Sequence, residues 1–424
     1  MPAVQTASRG PLTVTIKALT PLWTGGKDRT CDRLHETGLI GSLRWWYEAL
    51  VRGVGGYACN PTSENPKARC AFNSKAYEKA KSNGESDDSA ISAGLKEVCP
   101  VCYVFGATGW ARLFQLQAVS VPTTPLHFRT TLSVNQNWLE RVFGGESQNI
   151  DSLKVPYGEL GFQFTSRRYD EDFGRSQFAL VLHVAAEYGG IGARLQHGFG
   201  QVIPELPPEI KVGLSEGLKQ LIQKIQTGVL RHNGPKVDTP FDFRNFVSLT
   251  YEVPQSALNA FMRPRANVGS HQKQSEQNYI PCAFDLRYKG GGNWGMRRWL
   301  KEQKGWRESG DPKELGPLDK LMGPRSQWGA KGREKRIEDD LRTASRVFFG
   351  MPYRKDGKDG QYRLRIFGFA PPDIQTPQGE TLTPETLRDL IIEYVQYAFS
   401  NPKLQPVRIV LGKDLIARVK GAWL

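Results

Sequence analysis

Five glycines fall within twelve residues, Gly189, Gly190, Gly192, Gly198 and Gly200, and no other stretch constrains the chain so tightly. Glycine has no Cβ, so the backbone can turn through positive φ and another backbone can approach closely. The run follows a nearly continuous apolar segment, Phe178–Tyr188. The Ala, Leu and Glu content of that segment favours a helix with Gly189 as its stop. Free N–H groups beside Arg194 and His197 suit phosphate, and Phe199 offers a face for a base to stack on. A dinucleotide fingerprint is excluded, because Leu195 stands where the third glycine belongs and the loop does not open a helix. By itself the loop reads first as a C-capping glycine pair followed by a tight turn into a strand.

Charge narrows the partner. The 424 residues carry 57 Lys and Arg against 43 Asp and Glu, a net +14, with a pI near 9.4. Such an excess favours a polyanion: nucleic acid or an anionic membrane. No apolar run approaches the ~18 residues of a membrane span, and Met1–Gly10 has no apolar signal core. The expectation is a cytoplasmic nucleic-acid-binding protein with no membrane partner. The alternative is a basic soluble enzyme.

The six cysteines are too sparse for a disulfide framework. Four of them, Cys59, Cys70, Cys99 and Cys102, lie close in sequence. The last two form a Cys-x-x-Cys turn that suits tetrahedral Zn²⁺. The ten-residue gap between Cys59 and Cys70 is unusual, so a redox pair or buried thiols remain open readings, and Cys31 or His35 could replace one ligand.

Local patterning predicts an α+β chain. Leu12–Leu19 alternates as a first strand. A polar loop follows, and Gly38–Arg52 reads as a helix with Leu39, Leu43, Trp46 and Leu50 on one face. There Glu48 can pair with Arg44 and Arg52. Trp45, Trp46 and Tyr47 cannot all face one core, so one is free to stack on a base or to pack under the cysteine segment. Ser82–Ser92 is polar and reads as loose. Strands are expected over Arg112–Val121, Phe128–Val134, Phe162–Arg168 and Gly200–Ile203, and a linking helix over Leu214–Leu230. Further strands are expected at Phe246–Val253, Gln361–Phe369 and Val407–Leu411. Thr383 and Pro384 open a helix running to about Phe399. Arg287–Arg346 holds sixteen basic against nine acidic residues, with four tryptophans.

Both halves thus fit two ferredoxin-like (RRM-like) β-α-β-β-α-β domains packed together, with a Cys-containing insertion in the first. The expected boundaries are 1–205, with the insertion at 55–110; a linking helix at 206–240; and 241–424, with the basic insertion at 287–346.

The opening Thr20–Gly26 and Gly38–Arg44, with the later loop Gly189–Gly200, resembles the first strand, loop, first helix and G-rich loop of the repeat-associated mysterious protein (RAMP) superfamily. These are RNA-binding subunits of CRISPR–Cas systems. Glu36–Gly53, Gly55–Pro61 and Cys99–Trp110 narrow the resemblance to the first-numbered RAMP subunit of type III-B (Cmr) effector complexes. The specific motifs cover roughly 11–203, and the remainder is similar by layout and length. The resemblance implies a non-catalytic subunit at the head of a multi-protein complex in antiviral defence. It would lie beside the 3′ end of the CRISPR RNA and bind guide RNA, single-stranded target RNA or both, next to other Cmr subunits.

Residues expected at RNA are Lys27, Arg29, Arg44, Arg52, Arg112, Gly190, Gly192, Arg194, His197, Gly198, Phe199 and Gly200, with Arg297 and Arg298 on a second surface. Arg44 could instead only pair with Glu48, and the second surface could be a solvated basic face. No catalytic residue is expected, although RAMP endonucleases that process CRISPR RNA place a histidine where His35 stands, and backbone subunits place an aspartate like Asp32. A histidine there could take a 2′-hydroxyl proton. Two other functions therefore stay open: a metal-independent processing ribonuclease, and a zinc-stabilised adaptor touching only proteins.

Overall fold

The computed structural model describes residues 10–26, 31, 33–125, 154–167, 169–235, 237, 239, 241–262, 283–287, 293–309, 311, 313–324, 327–328, 334–335, 343–355, 359–370 and 372–421. The strand expected at Phe128–Val134 lies outside them.

The chain is α+β with antiparallel sheets. In chain order the first half has β1 (Leu12–Ala18), α1 (Glu36–Gly53), α2 (Ser74–Ser82), α3 (Asp87–Leu95), α4 (Pro100–Phe105), β2 (Phe114–Ser120), β3 (Gly158–Ser166), α5 (Glu171–Tyr188) and β4 (Val202–Glu205). Their strands lie in the order β2-β3-β1-β4, every pairing antiparallel. Helix α6 (Leu214–Gln226) leads to β5 (Phe246–Pro254), α7 (Gln255–Met262), α8 (Met296–Lys304), α9 (Pro317–Met322), β6 (Val347–Phe349), β7 (Gln361–Phe369), α10 (Pro384–Ala398), β8 (Arg408–Leu411) and α11 (Gly412–Gly421). The second sheet runs β6-β7-β5-β8, again antiparallel. In both sheets the third strand pairs with the first and the last strand takes the first strand's other edge.

Local chemistry explains most elements. Asn73 and Ser86 cap α2 and α3 through their side chains, so the polar Ser82–Ser92 stretch is largely helical and the loose reading is corrected. Thr383 accepts from Thr386 N–H and opens α10 with Pro384 behind it. Strand β1 alternates buried Val14, Ile16 and Ala18 with more exposed Thr13, Thr15 and Lys17. The same outward face carries Gln115 and Gln117 of β2 and Gln163 and Thr165 of β3, all exposed. None of the strands of this sheet puts an aromatic ring on that face, so the base stacking of an RRM sheet is not available there.

Helix α1 is buried on two sides. Leu39, Leu43 and Leu50 pack under the first sheet's core. Trp45 makes edge contacts with Phe241, Phe348 and Phe369, and Trp46 meets Phe246 edge-on and Phe367 at a tilt. Tyr47 is buried, and its hydroxyl donates to Gln177. The helix that could bury only one face by itself thus buries a second against the outer face of the second sheet, and all three rings are packed.

Arg365 of β7 also ties the halves. Buried among apolar neighbours, it donates to the carbonyls of Ala186 and Gly189 at the C-terminus of α5, where a cation meets the negative end of the helix dipole. Ser248 donates to Tyr188 O alongside. Arg365→Ala leaves those carbonyls without their charged donor, and urea unfolding is expected to show a loss of about 2–3 kcal/mol. Arg363→Ala, at a half-buried position in the same strand, is expected to stay within about 0.5 kcal/mol.

Candidate nucleic-acid interface and thiolate centre

Residues 189–200 fold as a loop stitched to the segment after β1. Gly189 ends α5, and Ala193 N–H donates to Trp23 O at 2.7 Å. Gly200 N–H donates to Pro21 O and Ile191 N–H to Gly200 O. Gly192, Gly198 and Gly200 hold φ of +89°, +91° and +79°, where an L side chain is strained. The close approach that these glycines permit is by the chain's own backbone. A Cβ on Gly192 would lie 2.6 Å from Trp23 O, on Gly190 3.0 Å from Gly200 O, and on Gly198 2.8 Å from Met351 N.

Met351 belongs to the second half, and its N–H donates to Gly198 O while Gln201 Nε2 donates to its carbonyl. No sequence signal marks Met351, because the contact exists only once both sheets are formed.

Three side chains of the loop divide the work. Arg194, itself at φ +58°, lies over the Trp23 ring at 4.9 Å. His197 is half-buried, and desolvation, then Arg194 and Arg287, push its pKa well below the usual value. It is therefore neutral near pH 7 and adds no charge for a phosphate. Phe199 is 2% exposed and meets Trp23 edge to face. It wedges the loop into the core, so the base-stacking role expected of it is corrected.

Cys59, Cys70, Cys99 and Cys102 come together from α4 and the segment between α1 and α2. Their sulfurs all lie within 4.8 Å of one another and all four residues are buried, with Cys59 and Cys102 sulfurs 3.4 Å apart. Four thiolates about 2.3 Å from one tetrahedral ion would stand roughly 3.8 Å apart, so the set could hold a metal. Arg44 donates to Cys102 Sγ and Cys99 N–H to Cys70 Sγ, as donors around anionic sulfur do. Cys31 Sγ instead donates to Leu22 O, and neither it nor His35 joins the four.

The remaining predicted residues separate. Arg44 also bonds Glu48 and Gly106 O, so it braces the cysteine cluster. Arg52 bonds Glu48 and Phe241 O, joining α1 to the second half. Arg112 is half-buried beside the end of β2. Arg297 is buried in ion pairs with Asp319 and Glu308, whereas Arg298 is exposed over Trp294; only the second of the two faces solvent. His35 precedes α1, its backbone N–H donating to Thr24 Oγ1. Lys27, Arg29 and Asp32 lie outside the described residues. Among the described residues no helix is long and apolar enough to cross a membrane.

A two-sheet α+β chain with a glycine loop clamped to its first β–α connection defines the class. Residues 15–203 match the family model of the RAMP superfamily. No curated protein matches the sequence. Among solved structures, Cmr1 from Pyrococcus furiosus is 12% identical, with 94% of this chain and 98% of that chain covered and a TM-score of 0.37. A chain of the type III-B Cmr-beta complex bound to cognate target RNA is 11% identical, with coverage of 92% and 100% and a TM-score of 0.39. Cmr6 from Pyrococcus furiosus is 11% identical over 46% of this chain and 98% of that one, with a TM-score of 0.21.

Proposed function

We propose that this chain is the non-catalytic, RNA-binding head subunit of a type III-B CRISPR–Cas (Cmr) interference complex. In this reading it holds guide RNA near its 3′ end, single-stranded target RNA or both, among other Cmr subunits in the cytoplasm. Its two sheets are ferredoxin-like domains at 1–205 and 241–424, joined by the helical linker 206–240. The segment 55–110 is an insertion stapled by a structural zinc on Cys59, Cys70, Cys99 and Cys102, which would order the insertion against α1.

One observation carries the reading. Within the residues that match the RAMP model, the glycine loop is locked against the segment after β1 with Arg194 at its rim. A rigid loop that presents a guanidinium at a positive-φ position pre-organises a phosphate contact at little entropic cost. The chain's net +14 supplies the long-range attraction.

The test is a gel shift of the purified chain with single-stranded RNA carrying a CRISPR repeat and spacer, at two salt concentrations with EDTA. Binding that weakens steeply with salt and leaves the RNA intact is expected. Arg194→Gln is expected to weaken it about tenfold. Discrete EDTA-resistant fragments that vanish with His35→Ala would replace this reading with the processing ribonuclease, and absence of binding would leave the protein-only adaptor.

A further inference from the structure

We propose that Arg112 and Arg167 form a second phosphate-contact site for single-stranded RNA, at the end of the first sheet remote from the glycine loop. The inference rests on the RNA-binding reading above and adds a point of contact to it, with Arg167 as a residue that the sequence did not single out.

Strand register places the pair. Phe114 of β2 lies opposite Ser166 of β3, and Arg167 N–H donates to Leu113 O at 2.7 Å. Arg167 therefore stands opposite Leu113, the residue next to Arg112, just beyond the last paired residues. Arg167 is exposed and Arg112 half-buried. Among the described residues neither side chain has an ion pair or a hydrogen-bond partner. Arg44, Arg52, Arg175, Arg297 and Arg346, by contrast, are each held by a carboxylate. Burial, then the charge of Arg167, lowers the pKa of Arg112. Two adjacent cations without an anion are costly, and a phosphate between them removes the cost and accepts their fork-shaped donors.

The position suits a strand of RNA. Strand β1 runs from Leu12, opposite Phe164, to Ala18, opposite Gly158, and Leu19 N–H then meets Gln201 O beside the glycine loop. The arginine pair lies about three residues beyond the Leu12 end of β1, so about ten strand steps, roughly 30–35 Å, separate it from the loop. Between them the open face offers the uncharged side chains Thr13, Thr15, Gln117 and Gln163, which can donate to or accept from sugar and phosphate oxygens.

The test compares the full chain with the Arg112→Ala/Arg167→Ala and Arg112→Lys/Arg167→Lys double variants, titrated with single-stranded RNA across salt concentrations. Losing two phosphate contacts is expected to weaken binding about tenfold. It should also flatten the log K against log salt slope by about 1.4, or 0.7 per contact. The lysine variant keeps most of the slope. The alanine variant should melt no lower than the parent, because it removes a repulsion. Unchanged affinity and slope in a parent that binds RNA overturns the site and leaves the RNA reading standing, whereas a parent that binds no RNA overturns both. A lowered melting temperature with an unchanged slope assigns the arginines to packing. Displacement of the RNA from the parent, but not from the alanine variant, by inorganic phosphate at matched ionic strength assigns the pair to free phosphate.

Discussion

Replacing Cys99 and Cys102 together by serine is expected to abolish metal binding and to unfold the segment that the four cysteines staple. The parent, purified without chelator, should carry one zinc per chain by elemental analysis, and the variant none. The effect is large because all four sulfurs are buried within 4.8 Å of one another. Four thiolates so placed without a cation would repel one another, and four thiols would leave the donors from Arg44 and Cys99 N–H facing weak acceptors. Structural zinc is worth about 10 kcal/mol or more in small domains. Much of that is folding energy for residues 55–110, where short helices alone bury little. The melting temperature should therefore fall in the variant and in the parent treated with a strong chelator. A parent that contains no zinc and is indifferent to chelation would make the cluster a set of buried thiols.

Gly200→Ala carries the second large effect. A Cβ at Gly200 would stand 2.0 Å from Ile191 O, a contact that cannot be relieved by rotating a side chain, and the residue holds φ +79°. Left-handed strain of about 1–2 kcal/mol adds to an overpacking cost of about 1–3 kcal/mol, so denaturant unfolding should show a loss of roughly 3 kcal/mol. RNA affinity should fall with it, because the loop that carries Arg194 must move away from Pro21 and Trp23. Gly41→Ala is the matched control: it lies in α1 with nothing near its Cβ position, and alanine there should raise stability by up to about 1 kcal/mol. An unchanged Gly200→Ala protein would mean that the loop relaxes freely and does not depend on this close approach.

Much of the secondary structure was legible because it is local. Strand β7 falls on Gln361–Phe369 as its alternation predicts, and α5 stops at Gly189. Thr383 caps α10 as its sequence requires. The cysteine cluster was half legible. The Cys-x-x-Cys turn is a local signature, but the wide gap between Cys59 and Cys70 left Cys31 and His35 in contention until folding put them elsewhere. Arg297 was misleading for a related reason. Its neighbour Arg298 has the same charge, and only the turn of α8 decides which of them points at Asp319 and which at water.

By itself, the sequence determined whatever depends on near neighbours along the chain: the order of strands and helices, the glycines needed for positive φ, the surplus of positive charge and the thiol pair on one turn. The tertiary structure alone decided which partners those residues find. It set Phe199 into the core, Met351 against Gly198, Arg365 under the C-terminus of α5, and Trp45 and Trp46 against the second sheet. Those contacts join residues more than a hundred positions apart. A side chain's period along its own element says which face it occupies, not what the opposite face will be.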